Sequence, residues 1–251
     1  MQAARILFRR ELQAIAYAPG SHVVAAVFIV LQGVGYVAAL RPFLDSPQSR
    51  GLLEMFFQGP LFWIPFLVLV PTLTMRLFAE ERKMGTMEML LTAPVRVRDV
   101  VVAKFAATFV YFCLLWVPGF LFLHLHGWVS GAPPVFETGA LLATYGLVLA
   151  MGAMFLAVGC LASAMTTSQL AAGIMTFGAL MLLILLAQLP PTLGQMADPV
   201  QRFFFYINSD AYLRDATAGL LDSRPFVYYL SGAGVLLAAT GYALNARRWR
   251  S

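Results

Sequence analysis

Apolar residues recur in six long stretches, at about 21–40, 59–78, 105–123, 140–163, 170–189 and 226–246, with polar residues gathered in the gaps. A helix needs about 20 apolar residues to cross the ~30 Å hydrocarbon layer of a bilayer. The pattern predicts an all-α integral membrane protein: six transmembrane helices in a single domain covering residues 1–251.

The flanking segments predict smaller elements. Over residues 3–17, Ala4, Phe8, Leu12 and Ile15 share one helical face, and Arg9, Arg10 and Gln13 point the other way. That is the pattern of an N-terminal interfacial helix lying on the membrane surface. Pro19-Gly20 then breaks the chain before the first span, which ends at Arg41-Pro42. A short loop with Asp45, Arg50 and Glu54 leads to the second span, which contains Pro65 and Pro71. Proline leaves a backbone carbonyl unpaired and bends the helix, so a kink is expected there, as a hinge or as a fixed bend. A charged stretch from Arg76 to Lys104 separates the second and third spans. Met165 to Gln169 is the expected turn between the fourth and fifth. The long gap from Pro190 to Pro225 carries Phe203-Phe204-Phe205-Tyr206, too short to span but suited to dipping into the interface, and predicts short outer helices before the last span.

Two spans carry stripes of small residues. In the fourth, Gly146, Ala150, Ala153, Ala157, Cys160 and Ala164 recur at steps of four and three; in the sixth, Ser231, Gly234, Ala238 and Gly241 repeat the device. Helices associate in lipid by close packing, so such faces are expected helix–helix contacts, within one subunit or between two.

Composition agrees. The chain has 251 residues, 60% hydrophobic and 12% charged, with mean hydropathy +0.77; a soluble domain is about 25% charged. The net charge is +5, and 12 of the 17 Lys and Arg residues lie at the two ends or around the gap after the second span. These are Arg5, Arg9, Arg10, Arg247, Arg248 and Arg250, then Arg76, Arg82, Lys83, Arg96, Arg98 and Lys104. The Lys/Arg bias sets orientation, so both termini are expected in the cytoplasm. Arg9, Arg10 and Glu11 precede a stretch too long for a signal peptide's apolar region, so no cleaved leader is expected. Trp63, Trp128 and Trp249 fall near span ends, where indole rings suit the water–lipid boundary.

Candidate chemistry is sparse. Cys113 and Cys160 lie inside spans and read as small packing residues. His124 and His126 with Glu137 are a weak metal-ligand set, and interfacial histidines are the favoured reading. No G-x-x-x-x-G-K-[ST] loop occurs, and no HExxH, paired-cysteine or GxSxG motif, so neither ATP binding by that route nor hydrolysis has a visible apparatus, and no enzyme is expected. The span centres carry no Asp, Glu, Lys or Arg, which disfavours an ion-coupled carrier.

The most distinctive segment is FAEERKMGTMEMLLTAPVRVRDVVVAKF, Phe78 to Phe105. Gly85-Thr86 can start a short helix with Thr86 as N-cap; Met87, Leu90 and Leu91 give it an apolar face, and Pro94 ends it. Charged shoulders flank it, Glu80, Glu81, Arg82 and Lys83 before, Arg96, Arg98 and Asp99 after. On these residues alone it is either a docking element presented to the cytosol or a basic loop resting on headgroups.

The segment resembles the cytoplasmic loop of the type-2 permeases of ATP-binding-cassette (ABC) transporters, whose pattern E-E-(K/R)-x-x-G-T-x-E-x-L-L-T-x-P-V is matched by Glu80, Glu81, Arg82, Gly85, Thr86, Glu88, Leu90, Leu91, Thr92, Pro94 and Val95. FRRELQAIAYAPGSHVVAAVFIVLQG near the start and GLLDSRPFVYYLS before the last span resemble the branch that includes gliding-motility-associated permeases. The resemblance implies two permease subunits in the working unit and a separate ATPase docking on the loop at 80–99. ATP and magnesium would then belong to that partner, with no cofactor in this chain. It further implies that a coupling helix near Thr86–Leu91 passes the ATPase's movement to the second and third spans, with Glu80, Glu81, Arg82, Glu88 and Leu91 as docking residues, and that the cargo is exported. Membrane lipid is the other expected partner, and nucleic acid is not. The alternative is a membrane scaffold or assembly factor that binds a cytoplasmic ATPase without moving any solute, since it would need the same span packing and docking loop.

Overall fold

The computed structural model describes residues 2–45, 51–85, 96–130, 138–188, 207–220 and 222–248, and no strand occurs among them. The helices are α1 (Gln2–Tyr17), α2 (Pro19–Asp45), α3 (Leu52–Gln58), α4 (Pro60–Thr74), α5 (Ala79–Lys83), α6 (Val97–Ser130), α7 (Thr138–Met165), α8 (Gln169–Gln188), α9 (Ser209–Thr217) and α10 (Arg224–Arg248). Among the described residues six segments are long and apolar enough to cross a membrane: Pro19–Arg41, Leu61–Lys83, Val97–Leu125, Thr138–Met165, Gln169–Leu186 and Arg224–Ala246.

The boundaries follow the sequence pattern with two corrections. The third span begins at Val97 rather than at 105. Val100, Val101 and Ala103 are buried, and the lysine that follows them finds partners inside the protein, so the helix has no reason to wait for Phe105. The loop expected between the first two spans contains α3, which buries Leu52, Leu53, Phe56 and Phe57. Glycine closes α3 at both ends: Gly51 and Gly59 have extended backbones.

A single non-helical residue, Ala18, separates α1 from α2, bridged by hydrogen bonds from Ala18 N–H to Ile15 C=O and from Ser21 N–H to Ala18 C=O. Phe8, Leu12 and Ile15 lie on the partly buried face of α1, as the periodicity predicts, and that face packs against α6 as well as lying along the bundle end. Pro65 and Pro71 are both inside α4. α9 starts at Asn208, whose side chain accepts from Ala211 N–H at 3.0 Å, and stops at Gly219, where φ of +81° favours glycine. Phe203 to Tyr206 lie outside the described residues.

α7 is the hub. It packs against α4, α6, α8, α9 and α10, most extensively against α10, and is the most enclosed span; α2 and α8 fully bury few of their side chains. Small residues on α7 make this possible. Ala150, Ala153 and Ala157 are buried, and a Cβ on Gly146 would sit 3.5 Å from the Phe226 ring. The tightest approaches to glycines of α7 fall outside the stripe: a Cβ on Gly152 would overlap Phe112, and one on Gly159 would overlap Thr74. Around α7 the aromatic rings of α3, α4 and α6 pack edge to face, including Phe57 on Tyr145 at 5.3 Å and Phe66 on Phe155 at 5.5 Å. Towards α2, Gln32 Nε2 donates to Leu115 C=O at 2.8 Å, and Gly119 leaves the room its side chain occupies.

The second stripe behaves differently. Among the described residues, nothing beyond α10 itself lies within 4 Å of a Cβ built on Gly234 or Gly241, so these two glycines do not bring α10 close to another described helix of the same subunit. Gly159→Ala should therefore cost about 1–3 kcal/mol, the usual penalty for overpacking. Gly234→Ala should be neutral or slightly stabilising, because alanine is the better helix former. Thermal unfolding of the two purified variants separates these outcomes; equal melting points would refute the packing assignment.

Candidate functional site

One end of the bundle carries α1, α5, the start of α6 and the end of α7, and the distinctive loop leaves from it. α4 ends at Thr74, and the chain turns through Met75–Phe78 into α5. The N-cap of α5 is Phe78, which has no side-chain acceptor, so the first N–H groups of the helix need a remote partner. Ser163 on α7 supplies it. Its Oγ accepts from Phe78 N–H at 3.0 Å and Ala79 N–H at 3.1 Å, and its hydroxyl donates to Met75 C=O at 3.3 Å.

Arg82 makes the reverse connection. Its Nη1 donates to Ala164 C=O at 2.7 Å and Thr166 C=O at 3.1 Å. These carbonyls close α7, where the helix dipole is negative and a guanidinium is favourable. α5 and the end of α7 thus cap each other.

The strongest feature is a buried ion triad. Lys104 Nζ lies 2.9 Å from Glu81 Oε1 and 3.1 Å from Glu11 Oε1, with only 6% of the lysine side chain exposed. Lys104 is seven residues into α6, about 10 Å along its axis. An ammonium at that depth is costly unless paired, and here it bridges α1, α5 and α6. Beneath it, Leu77, Phe78, Val100, Val101, Cys160, Ala164 and Leu244 form an apolar cluster separate from the main core. Lys104 Nζ lies 5.9 Å from the centre of the Phe78 ring.

The structure brings Glu80, Glu81, Arg82 and Gly85 together at this junction. Glu81 and Arg82 turn their charges into the bundle. Glu80 forms no ion pair among the described residues, and Lys83 and Met84 are exposed. Gly85, with φ of +72°, ends α5: its N–H reaches Arg82 C=O at 3.3 Å, and Met84 N–H reaches Glu80 C=O at 3.0 Å. Thr86, Glu88, Leu90, Leu91 and Pro94, and with them the expected coupling helix, lie outside the described residues. Of the packing residues, Gly146, Ala150, Ala153 and Ala157 face neighbouring helices, whereas Gly234, Ala238 and Gly241 line an open groove. His124 stacks on Phe120 at 5.9 Å, while Glu137 and the side chain of His126 lie outside the described residues.

Several residues of this junction are not apparent from the sequence. Lys104 looks like the last charge of the loop, yet the unbroken run Val100–Ala103 before it signals a helix already under way. Glu11 sits on the inward face of α1, among the apolar positions, and that placement is the available sign. Ser163 carries no local signal. Nor do the polar atoms at mid-bundle: Gln32 Oε1, Trp116 Nε1 and Tyr145 Oη are buried and without a partner among the described residues, and a Cβ on Gly119 would approach both Gln32 and Tyr145.

Replacing Lys104 alone strands two carboxylates. Lys104→Met should destabilise the protein by about 3 kcal/mol, whereas the triple variant Glu11→Gln, Glu81→Gln, Lys104→Met should recover most of the loss because no uncompensated charge remains. Thermal unfolding in detergent measures both; a triple variant no more stable than the single one would show that the triad is not the tie.

The protein families add an identification to this geometry. No individual curated protein matches the chain. The family model described as "ABC-2 family transporter protein" matches residues 21–189, more than half of the chain, covering the first five spans and the loop between the second and third. The chain belongs to the ABC-2 transporter family, as a multi-pass membrane permease component of an ABC transporter.

Proposed function

We propose that this permease is driven by a separate ATPase subunit docking on the loop at 80–99, and that the working unit contains a second permease subunit. Both termini and the loop face the cytoplasm of a bacterial inner membrane, and the cargo is exported. The Lys/Arg distribution supports the orientation. The resemblance of the loop to type-2 permeases supports the ATPase partner and the direction. The likeness of residues near both ends to the gliding-motility-associated branch supports a place in or near that branch, without implying a role in motility.

The observation that carries this reading is the fastening of the loop's base. Ser163, Arg82 and Lys104 join α5 to α7, α6 and α1 through hydrogen bonds and ion pairs of 2.7–3.3 Å. A push delivered to the loop by a partner would reach the second, third and fourth spans together with α1. In this mechanism Glu80, Glu88 and Leu91 meet the ATPase, and Glu81 and Arg82 hold the lever to the bundle. ATP closes the partner's two subunits, and the permease responds because the closed pair binds one of its states better than the other.

Glu88→Arg, which reverses a docking charge, should abolish co-purification of the ATPase while membrane insertion survives. Gly85→Pro should act similarly, because proline holds φ near −65° and removes the N–H that closes α5. Pull-down from membranes and ATP hydrolysis by the reconstituted complex read both. Unchanged partner binding and hydrolysis in the two variants would remove the loop from this role.

A further inference from the structure

A groove of about 720 Å³ runs between α6 and α10 at the basic end of the bundle. Gly234, Ala238 and Gly241 line its α10 side, and no described atom beyond α10 itself lies within 4 Å of a Cβ on either glycine. Arg96, Arg98 and Asn245 stand at its mouth. From Asn245 down to Gly234 is eleven residues of helix, about 16 Å. That is close to half of a ~30 Å hydrocarbon core, the depth of one leaflet. The groove therefore has a polar, cationic opening at the interface and an apolar bed one acyl chain deep.

We infer that this groove binds an anionic phospholipid from the leaflet at the basic end, with its phosphate between Arg96 and Arg98 and an acyl chain along Gly234, Ala238 and Gly241. Both arginines are exposed, and the one ion pair they form among the described residues, Arg98 Nε to Asp99 Oδ1, is at 3.9 Å with the arginine side chain 69% exposed. Their guanidinium donors suit phosphate oxygens. Basic pockets between spans attract acidic headgroups for the same reason. Tyr242, 77% exposed beside the mouth, has the amphipathic ring that suits headgroup depth. A second copy of this chain fits less well, since a two-fold contact through this face would set one basic mouth against another. The inference needs only the bilayer and is independent of the ATPase partner.

The test uses the purified full chain in mild detergent, titrated with dioleoyl phosphatidylglycerol or dioleoyl phosphatidylcholine, with bound lipid read by native mass spectrometry. The wild type should retain phosphatidylglycerol preferentially, and the variant Arg96→Gln, Arg98→Gln should lose about tenfold of that preference. Gly234→Leu with Ala238→Leu, which fills the bed, should release both lipids. The arginine variant alters exposed side chains alone, so it decides the question even if the filled variant fails to fold. Equal retention of the two lipids by the wild type, or an unchanged preference in the arginine variant, would overturn the inference. So would displacement of the bound lipid by millimolar inorganic phosphate, which would mark a site for the free anion. A shift from dimer to monomer in the filled variant with lipid retention unaltered would assign the groove to a second copy and overturn it too.

Discussion

One ammonium group holds together the end of the molecule from which the loop departs. Lys104 lies within a membrane-spanning helix and is tolerated there because Glu11 and Glu81 reach it from two other elements. The carboxylates in turn need the lysine, so α1, α5 and α6 cannot separate without exposing charge to an apolar setting. The reciprocal capping of α5 and α7 by Ser163 and Arg82 extends the tie to the hub helix. Charge pairing and backbone satisfaction thus make a rigid corner of what the sequence presents as a loop.

Glycine serves two opposite purposes in the same bundle. On α7, Gly152 and Gly159 are filled spaces, occupied by the Phe112 ring and the Thr74 side chain. On α10, Gly234 and Gly241 are open spaces facing outward. The first use brings helices together where no hydrophobic force drives them, since lipid is as apolar as the side chains it replaces. The second leaves a channel in the surface that something from the bilayer can occupy.

Much of the architecture is legible because the bilayer imposes a simple rule. Six apolar stretches correspond to six spans, the periodicity of residues 3–17 identifies the inward face of α1, and the small stripe around Gly146–Ala157 marks the hub. α3 is not legible, because its buried pairs Leu52-Leu53 and Phe56-Phe57 occupy barely two turns, too few for a period to show. The start of α6 is hidden for a different reason: Arg96, Arg98, Asp99 and Lys104 look like one charged loop, though the arginines stay exposed while the lysine is enclosed. Glu81 and Arg82 match a family pattern, but the pattern does not say which way their charges point.

By itself, the sequence determined how many times the chain crosses the membrane, which segments lie between, and the family of the permease. These rest on local properties, the length and polarity of successive stretches, which each residue carries wherever it ends up. Only the tertiary structure decided that Lys104 is a tie rather than a loop charge, that Ser163 caps a helix some eighty residues away, and that two similar stripes of small residues face a neighbour in one case and an open groove in the other. Such roles depend on which groups meet across distant parts of the chain, and partners brought together by packing leave no mark in the spacing of either.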